Sequence, residues 1–114
     1  MMMIVDGSLR RDELRTLAQS LFGNMIKAVV DVARGSIALD AELHADLEAL
    51  LLQNGSIQRD LWGINLYPDE SGEHFLEFDS MINVRPSQKN RSRGVEDPQI
   101  RSRIMEIVSQ RLSE

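Results

Sequence analysis

The segment ELHAD places a histidine between two carboxylates. Glu42 and His44 fall on the same side of an extended chain because side chains alternate along a strand, and Asp46 follows two residues later. Carboxylates and an imidazole at this spacing could hold a divalent metal or orient the histidine as a general base. Asp46 is also placed to cap the helix predicted in ADLEALLLQ, so a structural interpretation stays open. With two histidines and no cysteine in the chain, a structural zinc site is not expected.

The stretch RPSQKNRSRGVEDP, residues 85–98, concentrates positive charge in an acidic protein. Residues 85–103 hold six basic and two acidic residues, a net charge of +4 in a chain whose net charge is −5. Guanidinium groups match the planar geometry of phosphate and carboxylate groups, and serine and asparagine add hydrogen-bond donors. The stretch therefore predicts an anion site whose candidate residues are Arg85, Ser87, Asn90, Arg91 and Arg93.

The same stretch also supports a structural interpretation. Asp97 followed by Pro98 predicts the N-cap and the first residue of the last helix. A helix N-terminus favours anions, but the Asp97 carboxylate would itself occupy that position. The arginines could instead pair with carboxylates of their own chain, for which the candidates are Glu42, Glu77 and Asp79.

Alternation divides the predicted strands into an apolar and a polar face. Leu76 and Phe78 share one side of the last predicted strand, whereas Glu77 and Asp79 share the other. The polar face combines carboxylates, amides, a histidine, a tyrosine and an arginine, a mixture suited to a ligand, a metal or a partner. A solvated sheet face is the simpler interpretation, because antiparallel sheets commonly expose one side to water. The predicted polar face consists of Asp40, Glu42, His44, Asn65, Tyr67, Glu77, Asp79, Asn83 and Arg85.

Hydrophobic periodicity and turn residues predict eight elements in the order β-α-β-β-α-β-β-α. They are strands at about 2–5, 25–33, 36–43, 61–67 and 74–85, and helices at about 10–22, 45–53 and 98–112. The first strand, helix and second strand predict a crossover with parallel, adjacent strands. We expect an α+β fold: one two-layer domain over residues 1–114, with a mixed sheet of about five strands and the helices on one face.

Composition limits the classes of protein to consider. The chain has 114 residues, 42% of them hydrophobic, which is enough for a packed core without disulfides or metal. The opening MMMIVDGSLRRDEL is too short in apolar residues for a signal peptide, and no apolar segment approaches the roughly 20 residues that span a bilayer. We therefore expect a soluble cytoplasmic protein without a membrane partner. General duplex DNA binding is not expected of so acidic a chain, because that binding depends on many phosphate contacts.

Several phrases of the sequence are similar to those of a known family. The text IKAVVDVARGSIALDAELHADLEALLLQNGS, DLWGINLYP and FDSMINVRPSQKNRSRGVEDPQI resembles a family of small uncharacterised prokaryotic proteins catalogued as a domain of unknown function. The resemblance covers nearly the whole chain and implies no activity or catalytic residue. The chain departs from the family pattern at Asp40 and Ala41, and again at Lys89, where the pattern has glycine. Losing those glycines argues against a close approach of backbone and ligand at both places.

Three functions are compatible with these observations. The first is binding of an anionic ligand, such as a phosphate ester, a nucleotide or RNA, on the polar face beside the arginine-rich loop 85–97, with Asn65, Tyr67 and Asn83 contributing. The second is a hydrolytic or metal-dependent enzyme that uses His44 with Glu42, Glu77 or Asp79. The third is an interaction module or homo-oligomer that docks through the same face. The sequence leaves the cofactor and any metal undetermined.

Overall fold

A five-stranded antiparallel sheet forms the centre of the molecule, in a computed structural model that describes residues 1–113. The α+β class and the number of strands are therefore confirmed. Three helices pack on this sheet, and a separate pair of two-residue strands joins the two ends of the chain. The order along the chain is β1 Met3–Val5, β2 Leu9–Arg10, α1 Arg11–Leu21, β3 Ile26–Asp31, β4 Ser36–Leu39, α2 His44–Gln53, β5 Leu61–Leu66, β6 Leu76–Glu77, α3 Pro98–Arg111 and β7 Leu112–Ser113.

The order of strands differs from the predicted crossover. The sheet runs β1-β4-β3-β5-β6, and each of its four pairings is antiparallel. Strands β1 and β3 point the same way, but β4 lies between them. The tight β3–β4 turn keeps β4 beside β3 while β5 occupies the other side of β3, so β1 can add only to the outer edge of β4. The predicted mixed sheet with adjacent parallel strands is wrong, and the one parallel pair within residues 1–113 is β2 with β7.

Helices cover both faces of the sheet, so the prediction of two layers with helices on one face is also wrong. Helices α1 and α3 bury one face against Ile64 and its neighbours. On the other face, Leu47 and Leu51 of α2 pack against Val29 and Ala38. The physical reason is that every residue of β4 and β5 is buried, and a sheet that is apolar on both sides must be covered on both sides.

The chain between residues 74 and 85 is mostly irregular, not the long strand that was predicted. Only Leu76–Glu77 pairs with β5, and short 3-10 turns follow at Met81–Asn83 and Pro86–Gln88. The Ser80 hydroxyl accepts a hydrogen bond from the Ile82 N–H, which stabilises a turn where a strand would need the backbone for pairing. Within residues 1–113, no helix is both long and apolar enough to cross a membrane.

The last helix begins as predicted. Asp97 is its N-cap and accepts a hydrogen bond from the Gln99 N–H, and Pro98 is its first residue. The second helix does not, because it starts at His44 after an N-cap residue, Leu43, that supplies no side-chain hydrogen bond. Asp46 therefore lies in the first turn of α2 and is not its cap.

Candidate functional site

Helix α2 covers only part of its side of the sheet, and polar side chains occupy the rest. The strand register places Lys27 of β3 opposite Asn65 of β5, and Asn65 opposite Glu77 of β6. The Asn65 amide also donates to the backbone carbonyl of Asp79 at 3.3 Å. Strand pairing, hydrogen bonds and electrostatic interactions relate the polar residues on this side of the sheet, and we call these residues the polar cluster. It consists of Lys27, His44, Asn65, Tyr67, Glu77, Asp79 and Arg93.

His44 lies at the inner side of the polar cluster, as the first residue of α2. Its Nε2 is 2.8 Å from the Ile64 carbonyl oxygen. Because a carbonyl can only accept, Nε2 carries the proton and Nδ1 of the neutral ring keeps a lone pair. Within the described chain Nδ1 has no hydrogen-bond partner, and it retains access to solvent. His44 therefore presents a lone pair in one fixed tautomer.

The electrostatic surroundings keep this imidazole neutral. Burial is the main cause that lowers the pKa of His44, and the positive charges of Lys27 and Arg93 lower it further. The hydrogen bond to Ile64 and the charge of Asp79 act in the opposite direction without reversing the shift. Two cations and one carboxylate therefore act on His44.

Glu77 organises the outer part of the polar cluster. Its Oε1 accepts hydrogen bonds from the Asn65 amide and the Tyr67 hydroxyl, both at 2.9 Å. Burial, followed by the hydrogen bond and charge of Glu77, raises the pKa of Tyr67, so the phenol stays protonated. Asn65 is only 6% exposed, and its carboxamide oxygen has no partner within residues 1–113. One buried acceptor in the cluster is therefore unpaired.

Arg93 connects the cluster to the loop that precedes α3. Its Nε donates to Asp79 Oδ1 at 2.6 Å, and both side chains are about half exposed. Its backbone carbonyl accepts from the Ser80 N–H and from the Asn83 amide, so the arginine projects from a fixed piece of backbone. This is the one predicted pairing of a loop arginine with Glu42, Glu77 or Asp79 that the structure forms.

Glu42 does not join His44. Its side chain is exposed, and it is not among the charges that shift the pKa of His44. Asp46 also points elsewhere, because residues two apart on a helix do not face each other. The carboxylate–histidine–carboxylate arrangement predicted from ELHAD is therefore not assembled. Within residues 1–113, no group of three or more histidine, aspartate or glutamate side chains could hold a metal ion.

Three residues that were predicted to contact a ligand instead use their polar side-chain groups to bind backbone groups of other residues in the protein. Arg85 donates to the Leu61 carbonyl at 2.6 Å and lies over the Trp62 ring at 4.2 Å. The Asn83 amide bonds both the N–H and the carbonyl of Gly63. The Asn90 side chain does the same for the loop, with Nδ2 donating to backbone carbonyls and Oδ1 accepting from a backbone N–H.

The anion site predicted in residues 85–98 is already occupied by a carboxylate of the protein itself, that of Glu96. The backbone N–H groups of Arg91 and Ser92 both donate to Glu96 Oε2, at 2.7 and 2.9 Å. These bonds lower the pKa of Glu96, so its carboxylate stays ionised and in place. The side chains of Ser87 and Arg91 are exposed and form no hydrogen bond within residues 1–113. Of the predicted loop residues, Arg93 is therefore the one that reaches the polar cluster.

Sequence reasoning missed two contributors to the site. Lys27 was not among the predicted site residues, although alternation along IKAVVD places it on the side of its strand opposite Ile26 and Ala28. Gly63 lets His44 and Ser80 approach the sheet, because a Cβ on Gly63 would lie 2.5 Å from the Ser80 Cβ and 3.2 Å from His44 Cδ2. A glycine inside a strand is the signal for such an approach.

A groove of about 650 Å³ lies on the opposite side of the sheet from the polar cluster. Its apolar lining comes from the segment around β6 and from the end of the chain, and consists of Phe75, Leu76, Phe78, Met105, Val108 and Leu112. No member of the polar cluster lines it. The predicted homo-oligomer stays a prediction, which light scattering would measure.

Comparisons with known proteins give a family and nothing finer. The family model described as "Protein of unknown function (DUF5674)" matches residues 3–111. No curated protein and no solved structure matches the chain.

Proposed function

The chain belongs to the DUF5674 family of proteins of unknown function, and from the geometry of the polar cluster we propose that it binds an anionic ligand of the phosphate-ester class. A nucleotide and an RNA phosphate both carry this group. The observation that supports the proposal most directly is the position of His44. It begins a helix without a side-chain cap and lies in the field of Lys27 and Arg93.

Each part of the cluster has a role in this proposal. The first backbone N–H groups of α2 and the helix dipole favour negative charge at the helix N-terminus. Lys27 contributes an ammonium group, which lies 5.4 Å from the centroid of the Phe22 ring, and Arg93 contributes a planar fork. Tyr67 offers a ring in the part of the cluster next to Glu77, on which a base or sugar could stack. Glu77 and Asp79 restrict the site, because an anion must contact the cations without approaching the two carboxylates.

Binding can be tested by following backbone amides in ¹H–¹⁵N spectra during titration with inorganic phosphate, a mononucleotide and a short RNA. We expect saturable shifts at His44, Ala45 and Gly63, and weaker binding as salt is raised. Arg93→Gln and Lys27→Gln should each weaken binding by about tenfold, the loss of one cation from a site of two.

Arg91→Gln and Lys89→Gln are the matched controls, because both side chains are exposed in the same loop and neither belongs to the cluster. We expect them to bind as the unchanged protein does. Equal affinity in the Arg93→Gln, Lys27→Gln and control proteins would refute the proposal, as would the lack of any saturable shift with all three probes. Shifts with RNA alone would restrict the ligand to RNA.

A second candidate function is hydrolysis with His44 as general base. The observation in its favour is the fixed tautomer, which leaves the Nδ1 lone pair unpaired on an imidazole that also feels the charge of Asp79. A neutral imidazole is the form that a general base requires. Incubation with phosphate-ester and carboxyl-ester substrates tests the idea, and a rate unaffected by His44→Gln would contradict it.

A further inference from the structure

Two arginines of α3 converge on one glycine at the far end of β3, away from the polar cluster. Arg103 donates from Nε to the Val32 carbonyl at 3.1 Å and from Nη1 to Glu106 Oε1. Arg111 donates from Nε to the Gly35 carbonyl at 2.9 Å and from Nη1 to the Gly7 carbonyl at 3.3 Å. Both guanidinium groups are therefore held in fixed positions around the β3–β4 turn.

The two remaining donors point at the same place. A Cβ built on Gly35 would lie 3.5 Å from Nη2 of Arg103 and 3.8 Å from Nη2 of Arg111. Neither Nη2 atom has a hydrogen-bond partner within residues 1–113, and both retain access to solvent. Among residues 1–113, Glu106 is the one carboxylate that contacts either guanidinium group, and it engages Nη1 of Arg103. Two positive groups thus lie close together with unused donors and incomplete neutralisation.

Two guanidinium groups that both lie next to Gly35 repel each other unless an anion lies between them. A tetrahedral oxyanion satisfies both Nη2 groups, because it offers a separate oxygen to each donor and because guanidinium donors form strong, charge-assisted hydrogen bonds. Gly35 adopts φ +72°, a conformation that glycine accepts without strain, and the absence of a side chain keeps the space between the donors open.

We propose that Arg103 and Arg111 form an oxyanion site at the β3–β4 turn, which takes a phosphate or sulfate group. This site is separate from the polar cluster and does not depend on it. Lys27 lies near the start of β3, whereas the turn follows its last residue, Asp31. A phosphate group can therefore bind at this turn whether or not the polar cluster is occupied.

Titration with sodium phosphate and sodium sulfate tests the proposal, with ionic strength held constant by sodium chloride. The Gly35 amide and the Nε–H resonances of Arg103 and Arg111 report on the site. We expect saturable shifts of all three signals. Arg103→Lys and Arg111→Lys keep the positive charge but remove the planar fork, and each should weaken binding by about tenfold.

Arg91→Lys controls for the general effect of the substitution, and Arg93→Gln controls for the polar cluster. Both should leave the Gly35 titration unchanged. Signals that respond to phosphate and chloride alike, or equal affinity in the two lysine variants and the unchanged protein, would overturn the proposal. If a lysine variant fails to fold, the shifts in the unchanged protein decide alone. Failure of the polar cluster to bind leaves this test unaffected, because the two sites report through different amides.

Discussion

At the scale of single residues, the backbone of Lys89 has an uncommon conformation. Its φ is +62°, in the left-handed region, directly after the turn Pro86–Gln88. A side chain costs about 1–2 kcal/mol in this conformation, whereas glycine adopts it without strain but loses about 0.5–1 kcal/mol of chain entropy. We therefore expect Lys89→Gly to raise the free energy of unfolding by about 0.5–1 kcal/mol, as measured by urea denaturation.

Lys89→Ala is the control for this prediction, because it removes the charge and keeps the strained backbone. An equal gain in the alanine and glycine variants would show that the charge is responsible and not φ. Asp40 is the other residue besides glycine with a positive φ (+75°) in residues 1–113. Asp40→Gly is a poorer test, because Asp40 pairs with the N-terminal ammonium group at 2.9 Å.

Gly63 is constrained by its neighbours and not by its backbone angles. A methyl group there would lie 2.5 Å from Ser80 Cβ and 2.6 Å from Ser80 Oγ. Overpacking of this kind costs about 1–3 kcal/mol, so we expect Gly63→Ala to be destabilised by that amount in thermal or urea unfolding. The double variant Gly63→Ala with Ser80→Gly should recover most of the loss.

Ser80→Gly alone also has a cost, since the Ser80 hydroxyl accepts from the Ile82 N–H at 3.2 Å. That bond is worth about 1 kcal/mol, and the double-mutant cycle subtracts it. If the changes in the free energy of unfolding of the two single variants simply add in the double variant, steric contact with Ser80 is not the reason that position 63 requires glycine.

At the scale of elements, Arg85 attaches the loop before α3 to the start of β5. Its Nη2 donates to the Leu61 carbonyl, and its guanidinium covers the Trp62 ring. Lysine cannot reproduce the fork or the stacking. We expect Arg85→Lys to lower the free energy of unfolding by about 1–3 kcal/mol and to change the fluorescence of Trp62, the single tryptophan.

Arg91→Lys is the matched control, in which the side chain is exposed and unbonded and a change within about 0.5 kcal/mol is expected. Equal stability of the two variants would mean that Arg85 is a surface residue in solution. It would then return to the group of candidate ligand-binding residues.

The elements also show which features the sequence reveals. Helix α3 was predictable to within a residue, because Asp97 and Pro98 mark its start through local chemistry. The second helical layer was not, because alternation in SIAL and LWGINL was interpreted as one apolar and one polar face although both faces are buried. Whether Ala38 and Gly63 meet water or a helix depends on packing between distant segments, which no local pattern records.

The candidate site likewise has residues that could be predicted from the sequence and residues that could not. Alternation found Asn65 and Glu77, because their strands pair in register. It could not find that Arg85, Asn83 and Asn90 bind backbone groups, because backbone carbonyls leave no trace in the sequence.

At the scale of the whole molecule, most arginines act as internal connections. Three of the six basic residues in region 85–103 form such connections, namely Arg85, Arg101 and Arg103. Arg34 caps the end of α2 by donating to two carbonyl oxygens, and others tie loops to the sheet and helices. Arginines that donate to backbone carbonyls include Arg11, Arg34, Arg85, Arg101, Arg103 and Arg111.

The stability of the molecule should depend on pH in two separate ranges. The pKa of His44 in the folded protein is below its usual 6.5, chiefly through burial. As the pH falls below 6.5, the unfolded chain takes up a proton that the folded protein does not, so stability falls by up to about 1.4 kcal/mol per pH unit until the folded pKa is reached. The pKa of Glu96 is below its usual 4.5 because of two backbone hydrogen bonds. Its stabilising effect is therefore complete above 4.5 and is lost as the pH falls from there through the folded pKa.

Two substitutions separate these ranges. His44→Gln keeps an N–H that can donate to the Ile64 carbonyl but does not titrate, so the dependence just below pH 6.5 should disappear while the acid range remains. Glu96→Gln should remove part of the dependence below pH 4.5 and leave the upper range intact. His74→Gln is the control for the upper range, because His74 is 76% exposed on a turn. Urea denaturation from pH 3 to 8 measures both effects. If His44→Gln retains the slope just below pH 6.5, the imidazole is not held neutral by burial, and the basis for its role as a general base is lost.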